Sequence, residues 1–170
     1  MQFSLTVLKV LMSELRRLLI EHDRLKKTIG ADGSLRLEPP EVHYLKHVLR
    51  LRRGDLIAIV DGIGHLWEAF FQGDAYIKVS SVLDCPLETK PCPKPLVGLA
   101  VVLPKRGFDE ILRMSCEIGV DIIQPLDSDR AVVNARIKGE KFVRWNGILR
   151  EAVEQSERLW KPEFREFIDF

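Results

Sequence analysis

The sequence is short of cysteine, of long apolar runs and of net charge, and each shortage removes a class of protein. Cys85, Cys92 and Cys116 are its three cysteines. Their odd number, with no CxxC pair and no histidine at ligand spacing, argues against a disulfide framework or a structural zinc and fits a reducing cytoplasm. No stretch approaches the roughly 18–20 apolar residues of a membrane span, and the densest runs, 56–60 and 96–103, are strand-sized. Lys and Arg number 26 against 25 Asp and Glu, so a nucleic-acid surface must come from clustering and not from bulk basicity. Residues 1–11 are apolar but lack a basic start and a small-residue cleavage site, so no signal peptide is expected, and Met12 offers an alternative start. There is no Ser-His-Asp pattern, no nucleophilic-cysteine pattern and no GxxxxGK phosphate loop, and Cys116 reads as a packed thiol in an apolar helix.

What remains reads as two modules in 170 residues of globular composition. From about Leu15 to Leu87, short strands alternate with turn residues. Asp32-Gly33 divides a strand at Lys26–Ile29 from one at Ser34–Glu38 as a hairpin, while Asp61-Gly62-Ile63-Gly64 and Gly73-Asp74 divide Leu56–Val60, Leu66–Gln72 and Ala75–Leu83 into a meander. One helix runs over about Pro40–Leu51, opened by Pro39-Pro40-Glu41 and stopped by Gly54-Asp55. Val42, Leu45, Val48 and Leu49 form its apolar stripe; His43, His47 and Arg50 recur at i, i+4 and i+7 on another face, and Lys46, Arg52 and Arg53 add charge there. This face reads either as a contact for an RNA backbone or as a solvated helix surface. The histidine pair lacks the central acid of a zinc-protease helix and a third ligand, so no metal is expected.

Pro86, Pro91, Pro93 and Pro95 mark an extended linker and set the boundary between a first domain at 12–88 and a second at 95–170. Strand and helix then alternate through Leu96–Leu103, Phe108–Ile118, Asp121–Leu126 and Lys141–Leu159 to a final extended piece at Glu163–Phe170, the pattern of a parallel sheet covered by helices. Three strands leave an unpaired edge and an uncovered face, and Trp145, Phe164, Phe167 and Phe170 supply apolar area beyond one small core, so a dimer or larger assembly is expected. Ligands collect outside the carboxyl ends of parallel strands. Lys105 and Arg106 follow the first strand and Arg130 the second, where they read as phosphate or polynucleotide contacts or as solvated loop cations. On the last helix Phe142, Trp145, Leu149, Ala152 and Val153 make the buried face. Glu151, Glu154, Gln155 and Arg158 recur at i, i+3, i+4 and i+7, as a salt-bridge ladder or as a polar seam against a second subunit.

The ordered string His43-Tyr-Leu-Lys-His-Val-Leu-Arg-Leu-Arg-Arg-Gly-Asp55, Asp61-Gly62, Leu103-Pro-Lys105, Glu117-Ile-Gly-Val120, Ser128-Asp-Arg130, Arg144-Trp145 and Glu151-Ala-Val-Glu-Gln-Ser156 closely resembles the ribosomal RNA small subunit methyltransferase E (RsmE) family, from about Met12 to the last residue. The resemblance implies an α+β protein: a PUA-like β-barrel for RNA binding, then the first part of a SPOUT-type α/β parallel-sheet domain. It implies S-adenosylmethionine-dependent methylation of a uridine N3 in small-subunit ribosomal RNA, by a cytoplasmic homodimer acting on that RNA or on the assembling small subunit, with no metal and no membrane. In that family the cofactor lies in a C-terminal knot whose Gly-Pro-Glu-Gly-Gly type loop does not occur in these 170 residues. No cofactor-binding residue is therefore assigned, the chain by itself is expected to be inactive, and a non-catalytic RNA-binding module is the alternative. Arg130 becomes the candidate catalytic cation, sharing the charge of a deprotonated uridine imide. His43, Lys46, His47, Arg50, Arg52, Arg53, Lys105 and Arg106 become RNA contacts, and Glu117 joins Glu151, Glu154, Gln155 and Arg158 in the seam. Met114 departs from the family, many members of which carry a basic residue there.

Overall fold

Leu56–Val60, apolar throughout, forms an interior strand, β3, of the first unit in the computed structural model, which describes residues 15–127 and 139–169. The unit closes at Pro91, and a second begins at Cys92. The first contains β1 (Arg17–Leu19), α1 (His22–Thr28), β2 (Ser34–Arg36), α2 (Pro39–His43), a π-helical turn (Tyr44–Val48), β3, β4 (His65–Gly73), β5 (Tyr76–Val79) and β6 (Glu88–Thr89). The sheet order is β1-β3-β4-β5-β2, with β6 also pairing β4. Ile57 pairs with Ala69 and Ile59 with Trp67, so the two-residue period puts these side chains on one face. They share the buried core with Leu25 of α1, Leu45 of the π turn, Phe71 and Ile77. The expected meander is the β3–β4–β5 antiparallel run.

Two local expectations for this unit are corrected. Lys26–Ile29 is not a strand: residues 22–28 form α1, with Asp23 in the first turn, Lys26 and Lys27 in the last, and Leu25 as its buried anchor. Asp32-Gly33 still turns the chain, with Gly33 at φ 81°, but it joins a helix to β2, which pairs with β5. A Cβ on Gly33 would stand 2.8 Å from the Val79 carbonyl oxygen, so a side chain cannot enter without moving backbone. The helix expected over Pro40–Leu51 spans Pro39–Val48 and changes pitch on the way: the Leu49 N–H donates to the Tyr44 carbonyl at 2.9 Å, five residues back. Arg50, at φ 56°, ends it.

The second unit contains β7 (Gly98–Val102), α3 (Phe108–Glu117), β8 (Ile122–Asp127), α4 (Gly139–Gln155), β9 (Glu163–Phe164) and β10 (Ile168–Asp169). β8 is central, with β7 on one side and β9 and β10 on the other, all parallel. Leu112 and Cys116 of α3 and Leu149 and Val153 of α4 are buried, whereas Gly98, Ala100 and Val102 of β7 are exposed, as an uncovered sheet face requires. The aromatic surplus is corrected for Trp145, which is buried in the unit's own core: its ring meets Phe108 edge-on at 4.7 Å and lies 6.0 Å from Phe164 and 6.1 Å from Phe167, both of which stay half-buried. Phe170 lies outside the described residues. No helix among the described residues is long and apolar enough to cross a membrane.

Burial pushes the Cys116 thiol above its ordinary value, against the opposing pull of the Arg158 guanidinium. Cys85 and Cys92 are exposed. A thiol reagent at mildly alkaline pH should therefore modify Cys85 and Cys92 quickly and Cys116 only on unfolding. Mass spectrometry of labelled peptides checks this, and three equal rates would contradict the packing of α3.

Candidate functional site

Two cationic surfaces stand out, one in each unit. In the first unit, His43 and His47 lie on α2 and the π turn with ring centroids 4.9 Å apart, both exposed. They line a groove of about 650 Å³ whose floor includes Leu37, Pro39, Val42 and Ala75 and whose rim includes Arg36. Lys46 is half-buried and pairs with the Asp74 carboxylate at 3.5 Å. Arg50, Arg52 and Arg53 are exposed in the segment that leaves the turn. That segment is held by its backbone: the Arg52 N–H donates to Asp55 Oδ2 at 2.7 Å, and the Gly54 N–H donates to the Phe71 carbonyl at 2.7 Å. The guanidinium groups are thus presented by a fixed loop. The expected i, i+4, i+7 alignment stops at His47, because the π turn and the positive φ of Arg50 carry Arg50 off the helix.

Arg24, which sequence spacing did not single out, organises the same region. It forms a two-toothed ion pair with the buried Glu41, one tooth of which is Nη2 to Oε2 at 2.9 Å, and also reaches Glu38 at 3.2 Å. Glu41 in turn accepts the Glu38 backbone N–H at 2.8 Å, closing the start of α2. The hydrogen bond to Glu41 holds the Arg24 guanidinium pKa further up than usual.

In the second unit, Lys105 and Arg106 are exposed in the loop between β7 and α3. With Lys141 and Arg144 of α4 they border a cavity of about 420 Å³ that also meets Asp109, Glu110 and Trp145. Asp109 is committed: it takes the Arg144 guanidinium and the Trp145 indole N–H, the latter at 3.2 Å. The cavity therefore keeps a surplus of cations beside the first turn of α3, a setting suited to phosphate oxygens. Arg130, with Ser128 and Asp129, lies outside the described residues.

The polar seam is corrected in part. Glu117, Glu151 and Gln155 are exposed, but Glu154 is buried. Arg158 does not extend a ladder along α4, which ends at Gln155 before Glu157 turns at φ 58°. It crosses instead to the end of α3 and the link before β8, donating to the Cys116 carbonyl at 3.0 Å, the Val120 carbonyl at 2.7 Å and Asp121 Oδ1 at 2.8 Å. A guanidinium that satisfies the end of one helix is no longer available to its neighbours a turn away.

Sequence reasoning also missed His22, Asp61 and His65, whose donor atoms converge in the first unit. Asp61-Gly62 signalled a turn, which it makes, but nothing in the spacing linked it to a histidine 39 residues away.

Residues 37–78 match the RNA methyltransferase PUA domain, and residues 90–170 match the RNA methyltransferase domain. Ribosomal RNA small subunit methyltransferase E of Synechocystis sp. is 38% identical over 132 residues, which make up 77% of this chain and 42% of that protein. Its Bacillus subtilis counterpart is 31% identical over 149 residues, 85% of this chain and 58% of that protein. The chain thus spans about half the length of these curated relatives. The crystal structure of ribosomal RNA small subunit methyltransferase E from Neisseria gonorrhoeae bound to S-adenosylmethionine superposes with a TM-score of 0.70 at 24% identity, over 92% of this chain and 62% of that one. At that identity the likeness carries the fold, α+β with the PUA-like module first and the parallel sheet second.

Proposed function

We propose that the chain is a member of the ribosomal RNA small subunit methyltransferase E family and serves S-adenosylmethionine-dependent methylation of a uridine N3 in small-subunit ribosomal RNA. Residues 12–88 act as the RNA-binding module and residues 95–170 as part of the methyltransferase domain, in a cytoplasmic homodimer. The observation that carries this reading is the succession of the two matched domains on one chain, each with an exposed cationic surface.

The chemistry sets the division of labour. Methylation at N3 needs the imide proton removed and the resulting charge shared with O2 and O4. Arg130 is the cation assigned to that charge. His43, Lys46, His47, Arg50, Arg52 and Arg53 hold the RNA backbone, and Lys105 and Arg106 meet phosphate at the strand-end cavity. Glu117, Glu151 and Gln155, exposed on α3 and α4, face the second subunit. No Gly-Pro-Glu-Gly-Gly type loop occurs in the 170 residues, so no cofactor contact is assigned, and these residues alone act as an RNA-binding module.

Two titrations of the 170-residue chain test the reading. Binding to a small-subunit ribosomal RNA fragment should be saturable and weaken with salt, while calorimetry with S-adenosylmethionine should show no saturable uptake at micromolar concentrations. Loss of all RNA binding would sink the functional reading, and micromolar cofactor binding would overturn the division of labour.

A further inference from the structure

We propose that His22, Asp61 and His65 form a binding site for a divalent transition-metal ion of the zinc class. The three residues come from separate places: the start of α1, the residue after β3 and the first residue of β4. Both imidazoles present Nδ1 to the same carboxylate oxygen, Asp61 Oδ2, at 2.9 Å from His22 and 2.6 Å from His65. The other oxygen, Oδ1, accepts the Ile63 N–H at 2.9 Å and the His65 N–H at 3.0 Å, so the turn's own backbone fixes the carboxylate.

Burial makes this arrangement more than a turn. The Asp61 side chain is 0% exposed, against 24% for His22 and 30% for His65. A buried carboxylate needs a counter-charge. Among the described residues, Asp61 makes ion pairs with these two imidazoles only, and neither carries a permanent charge as Lys or Arg does. A metal ion held by the same three side chains would supply that counter-charge permanently. Two imidazole nitrogens and one carboxylate oxygen are the donors of zinc-class ions, whereas magnesium and calcium take oxygen.

The three donor atoms lie within 4.8 Å of one another. Bonds of about 2.0–2.1 Å in a tetrahedron put donors roughly 3.3 Å apart. The part-exposed rings therefore back away from Oδ2, His22 by about 0.4 Å and His65 by about 0.7 Å, as each Nδ1 gives its proton to solvent and its lone pair to the ion. Three protein ligands leave a fourth position for water. Once loaded, the site ties α1 to the β3–β4 turn.

The full 170-residue chain, stripped with chelator, is titrated with Co²⁺ near neutral pH, read by visible absorption, and then with Zn²⁺ in competition. One ion per chain should bind at micromolar concentration and raise the thermal midpoint. His22→Gln with His65→Gln should weaken binding by roughly tenfold or more, and His43→Gln with His47→Gln should leave it unchanged. Should the first double variant fail to fold, imidazole resonances of the wild-type chain decide: metal-dependent shifts at His22 and His65 support the site, and shifts at His43 and His47 alone overturn it. Absence of saturable binding below about 1 mM would also overturn it.

Discussion

Exchanging Arg24 for methionine is expected to lower the stability of the first unit by about 3 kcal/mol, because the change takes a two-toothed guanidinium partner from a buried carboxylate. Glu41 is 2% exposed, and Arg24 supplies its two-toothed partner. Methionine keeps much of the side-chain volume, so packing changes little and the penalty reports the lost guanidinium. It also releases the Arg24 contacts to Glu38 and to the Arg36 carbonyl, which together tie α1 to the start of α2 and the end of β2. Removing both charges with Arg24→Met and Glu41→Leu should recover most of the loss, since an apolar pair in place of an ion pair is often neutral or stabilising. A denaturant series followed by hydrogen exchange on β3 and β4 isolates the first unit. A single variant within about 0.5 kcal/mol of wild type would mean that water reaches Glu41 and the ion pair contributes little.

The reason Arg24 escaped sequence reasoning shows where such reasoning stops. Leu56–Val60 and Leu66–Gln72 were legible as strands because a continuous or alternating apolar run bounded by glycine turns has few other solutions. The strand–helix alternation after the proline-rich linker was legible for the same reason, and α3 begins at the expected Phe108. α1 was not legible: seven residues with a single buried leucine leave too little periodicity to separate helix from strand. The π turn hinges on one extra residue inside a hydrogen-bond ladder, which leaves no mark in composition yet moves Arg50 off the helix. Glu154 falls on the polar face of the last helix by spacing and Glu41 reads only as the acid that opens its helix, yet both are buried. Burial of a charge depends on a partner from another element, and the separations involved, 17 residues for Arg24 and Glu41 and 39 for His22 and Asp61, lie beyond any helical or strand period.

Replacing Arg50, Arg52 and Arg53 together by alanine is expected to weaken binding to a small-subunit ribosomal RNA fragment on the order of 10- to 100-fold near 0.1 M salt, and to flatten the log–log salt dependence by about 2–3. Each guanidinium that meets a phosphate releases counterions, so losing three contacts lowers the slope by nearly one apiece. The fold should survive, because the side chains are exposed and their loop is held by groups that alanine retains. The Arg52 N–H still reaches Asp55, and the Gly54 N–H still reaches Phe71. Arg50 already adopts φ 56° as a residue with a Cβ, so alanine there brings no steric demand that arginine lacked. Lys46→Ala should have a smaller effect, since its ammonium is shared with Asp74. Filter binding at several salt concentrations measures both quantities. Unchanged affinity and slope in a triple variant with a wild-type circular dichroism spectrum would return these arginines to the status of solvated side chains and move the RNA contact elsewhere.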